Sequence, residues 1–196
     1  MKITKAAKIL TPHQIEALIR HVHEQRLGTR NAVMVLLSFK AGLRAAEIAG
    51  LTWGMVLKSD GTIDDAITLR SNLAKSGSGG VIPINKLLKR ELTKLLDEIR
   101  TKPSETSSVI RSGSGGSFRA QSVVNQFARW YRQLGFEGCS SHSGRRTFIT
   151  NCARRVSSVG GSMRDVQALA RHSSLAMTQR YVDTDPKAQS KLVELV

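Results

Sequence analysis

Arg44, Lys75, His142, Arg145, His172 and Tyr181 form a set whose types and order suit the cleavage of a phosphodiester bond. A tyrosine hydroxyl has a pKa of about 10 and must lose its proton to attack phosphorus. The transition state gathers negative charge on its non-bridging oxygens, which calls for fixed cationic donors. Guanidinium groups suit that task, because they offer planar, bidentate hydrogen bonds to phosphate and never deprotonate. A lysine can protonate the departing 5′ oxygen. Histidines can move protons near neutral pH or donate to a phosphate oxygen.

Each residue also has an ordinary reading. Arg44 follows Gly42 in the run AGLRAAEIAGL, where Glu47 can orient it through an i,i+3 contact. Alone, that pair is a surface ion pair worth a few tenths of a kcal/mol. Lys75 is the only lysine between Ser59 and Asn85, and the glycines beside it allow close approach to a ligand. Alone, it is a solubilising turn lysine. His142 and Arg145 stand three apart in HSGRR at the start of a helix, where they share a face and the helix terminus favours an anion. A capping-region histidine fits as well, and Arg146 points elsewhere, toward DNA backbone or solvent. His172 ends the helical run MRDVQALAR, and Tyr181 lies at the far end of the next helix. Tyr181 could equally be a half-buried core aromatic. Tyr131, beside Trp130 in an amphipathic run, reads as core.

Mostly helical elements must position these groups. Thr11 is an N-cap and Pro12 a first helical residue, followed by Ile15, Leu18, Ile19 and Val22 at helical spacing. The run AVMVLLSFKA is apolar on every side and predicts a deeply buried helix that Gly42 ends. Ala45 to Leu51 predicts a short helix. Val56-Leu57, Ala66 to Leu69 and Val81 to Ile84 then read as three short antiparallel strands, with SDG and SGSGG as turns. Leu87, Leu88, Leu92, Leu95, Leu96 and Ile99 mark an amphipathic helix. The Gly/Ser-rich stretch Ser112 to Ser117 reads as a long surface loop rather than an interdomain linker, since the chemical residues lie on both sides of it. Further helices are expected at about 120–134, 143–156, 162–171 and 174–182, and Pro186 opens a last short one.

The chain has 196 residues and 40% apolar content, enough for one good domain or two small ones. Lys and Arg number 30 against 15 Asp and Glu, a formal charge of +15 that attracts polyanions, above all nucleic acid. No apolar run approaches the roughly 20 residues of a membrane span, and the N-terminus lacks the apolar stretch of a secretory signal. Cys139 and Cys152 have neither metal-site spacing nor a disulfide pattern, and read as reduced thiols of a cytoplasmic protein.

The blocks GLRAAEIAGLTW, the hairpin lysine followed by VIPI, HSGRRT, and LARHSSLAMTQRYV resemble the signature blocks of the tyrosine recombinase (phage integrase) family. The resemblance runs from Leu10 to about Lys187. It implies a mainly α fold with a small antiparallel three-stranded sheet, and a single catalytic domain over 1–196 with the family's N-terminal core-binding domain absent. It implies that Arg44 and Arg145 clamp the scissile phosphate, Lys75 protonates the 5′ oxygen, and His142 handles the tyrosine proton. His172 then donates to a non-bridging oxygen, and Tyr181 attacks to form a 3′-phosphotyrosyl link. Religation needs no ATP, and neither cofactor nor metal is expected. The implied partner is double-stranded DNA, with self-assembly into a tetramer on paired sites and accessory DNA-bending proteins, in a prokaryotic, phage or mobile-element setting. Arg171 departs from the family pattern, where glycine usually precedes the second histidine. Without a clamp domain, DNA binding should be weak and strongly salt-dependent. The apolar tail Leu192 to Val196 suits docking on a neighbouring protomer or folding back in cis. Alternative readings are a type IB topoisomerase, a regulator that binds DNA without cutting, and more distantly an RNA-binding module. Aromatic residues, at 5%, are too sparse for a stacking platform.

Overall fold

The computed structural model describes residues 7–70, 79–99, 101–181 and 193–194. Among them the chain is mainly helical with one small antiparallel sheet. It divides into two compact units, 1–148 and 149–196.

The first unit opens with α1 (Pro12–His23). Thr11 Oγ1 accepts the Gln14 N–H at 3.3 Å and Gln14 Oε1 accepts the Thr11 N–H at 3.0 Å, a reciprocal cap that closes the helix start. In α2 (Gly28–Lys40), every residue from Asn31 to Phe39 is buried, as its all-round apolar sequence demands. Gly42 follows its end at φ +63° and leads into α3 (Ala45–Gly50). α4 (Lys86–Asp97), capped by the Asn85 side chain, packs on α2 through Leu88, Leu92 and Leu95. α5 (Ala120–Gln133) packs on α3 and buries Val123, Phe127, Trp130 and Tyr131. Trp130 is fully buried because its Nε1–H has a partner, Gln25 Oε1 at 2.9 Å. Emptying this layer with Phe127→Ala would cost about 3–5 kcal/mol.

Among the described residues the sheet has two strands, not three: β1 (Ala66–Leu69) and β2 (Gly80–Pro83), with Ile67 opposite Ile82 in the core. The expected first strand at Val56-Leu57 does not form. Trp53–Met55 winds as a 3-10 turn, and Leu57 makes only an isolated bridge to Ile63. Turn chemistry wins over β-propensity there. Asp60 Oδ1 accepts both the backbone N–H and the hydroxyl of Thr62, and Gly61 sits at φ +86°, so the chain doubles back on itself. The Gly/Ser-rich loop is a surface loop within this unit, closed by an Arg111–Ser117 bridge and the Ser112 N–H to Gly116 C=O bond at 2.7 Å.

α6 (Ser143–Arg155) contains the division between the units. The second unit continues with a 3-10 turn, Val156–Val159, ended by Gly160 at φ +72°. Then come α7 (Met163–Ala170), capped by Ser162 and Asp165, and α8 (Leu175–Gln179), packed on α7. α8 is shorter than expected. It stops at Gln179, and the Tyr181 N–H closes a tighter turn onto the Thr178 C=O at 3.0 Å. The helix expected after Pro186 and most of the apolar tail lie outside the described residues. No helix of the described residues is long and apolar enough to cross a membrane.

Candidate active site

The first unit joins two arginines that lie far apart in sequence. Arg44 precedes α3, and Glu47 one turn on is 1% exposed. One Glu47 oxygen accepts the Arg44 backbone N–H at 2.7 Å, and the other accepts Nη1 at 2.9 Å. A carboxylate can be buried there because it caps a helix start and pairs with a cation at once. The guanidinium, 25% exposed, is thereby aimed from a rigid junction. Arg145, only 5% exposed, donates from Nη1 to the Gly42 C=O at 2.6 Å. Gly42 is two residues before Arg44, so Arg145 is tied to the turn from which Arg44 projects. Gly42 serves that turn in two ways. Its φ of +63° suits glycine, and an added Cβ would meet the Phe148 ring at 2.5 Å.

The HSGRRT block reads residue by residue as a docking surface for α6. The Ser143 hydroxyl accepts the Ser140 N–H at 3.0 Å and holds the entry turn. Gly144 lets the helix touch α2, since a Cβ there would fall 2.1 Å from Ser38 Oγ. Thr147 Oγ1 accepts the Leu10 N–H at 3.1 Å and donates to the Ser143 C=O at 2.7 Å, tying the N-terminal segment to α6. His142 is exposed just before the helix, whereas Arg145 is buried. The His142 C=O accepts the Arg146 N–H at 2.9 Å, so His142 stands at the start of the first helical turn.

The second unit gathers His172, Thr178 and Tyr181. The His172 and Tyr181 rings stack at 5.5 Å with 26° between planes. His172 is 7% exposed, and its Nδ1 shares a hydrogen bond with the hydroxyl of fully buried Thr178 at 3.0 Å. Gln167 Nε2 donates to the His172 C=O at 3.1 Å, and Thr150 Oγ1 donates to the Tyr181 C=O at 3.3 Å. Ring and backbone of both residues are thus held. Thr178, Thr150 and Gln167 were not foreseen from sequence. The signal for Thr178 was its place three residues before Tyr181, within the TQRY run. Arg171 caps α7 in the left-handed region at φ +52°, which explains why glycine is the easier residue there.

Lys75 lies outside the described residues. Among the described residues, no group of three or more His, Cys, Asp or Glu could hold a metal ion. Burial pushes the thiols of Cys139 and Cys152 above their usual range. Neither forms a disulfide.

A model of the phage integrase family matches residues 8–188. The chain belongs to this family. Tyrosine recombinase XerC of Rickettsia prowazekii (strain Madrid E) is 26% identical over 197 residues, covering 95% of this chain and 60% of the relative. The chain therefore spans less than two thirds of that relative's length. Among solved structures, the Tn1549 transposon integrase in complex with a circular intermediate DNA is similar with a TM-score of 0.75 and 18% identity, covering 99% of this chain and 67% of that one. XerA recombinase is similar with a TM-score of 0.74 and 20% identity, covering 96% and 64%. These likenesses establish the fold: mainly helical with a small antiparallel sheet.

Proposed function

We propose that this phage integrase family chain is the catalytic region of a site-specific DNA recombinase that cuts and rejoins strands through a 3′-phosphotyrosyl intermediate. The observation that supports this reading is the bond from Arg145 to the Gly42 carbonyl, in the turn from which Arg44, held by Glu47, projects. Two guanidinium groups anchored there can grip one phosphate with donors set in place before the charge develops. Tyr181 Oη loses its proton, with His142 handling it, and attacks phosphorus. The bond from phosphorus to the 5′ oxygen breaks, and Lys75 supplies the proton that the 5′ oxygen takes up. His172 donates to a non-bridging oxygen, with Thr178 orienting its ring. The phosphotyrosyl bond retains the energy of the broken one, so attack by a 5′ hydroxyl reverses the steps without ATP. The substrate is double-stranded DNA, for which a chain of +15 charge has the right sign. We further propose that the reaction joins paired sites on an assembled tetramer, aided by DNA-bending proteins.

Covalent trapping tests this reading. Nicked duplexes from the neighbouring genomic sequence are incubated with the protein and with Tyr181→Phe. An SDS-resistant adduct that vanishes in the variant is expected. Clear DNA binding without any adduct would sink the cutting reaction and favour a DNA-binding regulator.

A further inference from the structure

A second cationic site lies in the first unit, at the opposite end of α2 from the arginine pair. A cavity of about 350 Å³ opens between the α1–α2 junction, the Gly/Ser-rich loop and α5. Arg26, Arg30 and Arg129 line it, with Gln25 and Gln126, and no carboxylate is among its lining residues. None of the three arginines takes part in an ion pair among the described residues.

Arg30 is built into the wall. Its Nε donates to Asn31 Oδ1 at 3.1 Å and its Nη1 to the Arg111 C=O at 2.9 Å, while its Cζ lies 5.0 Å over the Phe118 ring. These neutral partners orient the group without cancelling its charge, and burial pulls its pKa down. The Gly/Ser-rich loop comes close to Arg26, since a Cβ on Gly113 would lie 3.8 Å from its Nη2. The N-terminal end of α2 also faces this junction with no acidic residue in its first turn, adding partial positive charge. A half-buried guanidinium among like charges is costly unless an anion compensates it. The cavity is large enough for a phosphate group with part of its ester or with ordered water.

We propose that this pocket seats a phosphate group distinct from the one gripped by Arg44 and Arg145. At 1.5 Å per residue, the 13 residues of α2 separate the two sites by about 20 Å. The phosphate comes either from the backbone of a bound duplex, away from the position of cutting, or from free phosphate in solution. Only the first source rests on the recombinase reading.

Two measurements decide it. Arg30 helps hold the loop, so Arg26→Gln/Arg129→Gln is the informative variant, with Lys86→Gln/Lys102→Gln as a charge-matched control on the same unit. The first measurement is the slope of log binding constant against log salt for a duplex. The second is a calorimetric titration of each protein with inorganic phosphate. A slope lower by about one in the pocket variant, unmatched by the control, assigns the pocket to a backbone phosphate. Adduct formation at saturating DNA should then stay within about twofold of the parent. Saturable binding of inorganic phosphate to the parent but not to the pocket variant, with unchanged slopes, assigns it to free phosphate. Equal slopes in variant and control together with no saturable phosphate binding overturn the proposal. A parent protein that binds no duplex defeats the recombinase reading instead, and the phosphate titration still decides the pocket.

Discussion

The arginine pair and the histidine–tyrosine pair are held in opposite ways. Arg44 and Arg145 reach one turn between two helices of the larger unit, and their partners, Glu47 and the Gly42 C=O, are buried groups in its core. Tyr181 stands past the end of a five-residue helix, held through its backbone by Thr150 and Thr178 and through its ring by His172. The difference follows from the chemistry each must do. Charge stabilisation gains most from donors that need no reorganisation during the reaction. A nucleophile must change its bonding partner, so its backbone is anchored while its oxygen carries the reaction.

If that contrast is right, the arginines should couple chemistry to stability and the tyrosine should not. Arg145→Ala should slow adduct formation by about 10²–10³-fold. It should also lower unfolding stability by about 2 kcal/mol, because the buried Gly42 C=O loses a charged donor. Tyr181→Phe should leave the denaturant midpoint nearly unchanged while abolishing the adduct. Equal midpoints for the two variants would erase the distinction. Gly42→Ala tests the turn without touching a reacting group. Left-handed strain of about 1–2 kcal/mol adds to overpacking of about 1–3 kcal/mol against Phe148. A drop in melting temperature with a matching loss of cleavage is expected.

Much of this division was legible in the sequence. The Gly42 helix stop before Arg44, the Glu47 contact and the HSGRR helix start are local patterns, and local patterns survive in the fold. The partner of Arg145 was not legible, because it is a backbone carbonyl 103 residues away that no side-chain pattern announces. The sheet was over-read at Val56-Leu57: the SDG turn was legible, but the 3-10 turn at Trp53–Met55 and a single Leu57–Ile63 bridge stand where a strand was expected. The end of α8 was misplaced because no glycine or proline marks it. The chain there simply tightens into an i−3 bond at Tyr181.

Thr178 sharpens the comparison on the tyrosine side. Thr178→Val keeps the volume and removes the hydroxyl that holds His172 Nδ1. A loss of about 1–1.5 kcal/mol of transition-state positioning, near tenfold in the single-turnover rate, is expected. A purely structural role for Thr178 would lower the melting temperature and leave that rate in place.

The smallest expected effect concerns acid stability of the tyrosine unit. The Asp165 carboxylate closes the start of α7, and hydrogen bonds from the Ser162 backbone N–H and then the Ser162 hydroxyl hold its pKa below the usual carboxylate range. A depressed pKa contributes stability above the unfolded value, about 3.9, and that stability is lost as pH falls through the folded value. Asp60 and Asp65 in the larger unit are depressed in the same direction, so an acid titration of the parent protein alone cannot assign the loss. The difference between the parent and Asp165→Asn isolates it. That difference should be constant above about pH 5 and shrink with further acidification. If it stays flat across the whole range, the cap contributes no pH-linked stability, and the α7 start is held by the Ser162 hydroxyl on the Arg164 N–H alone.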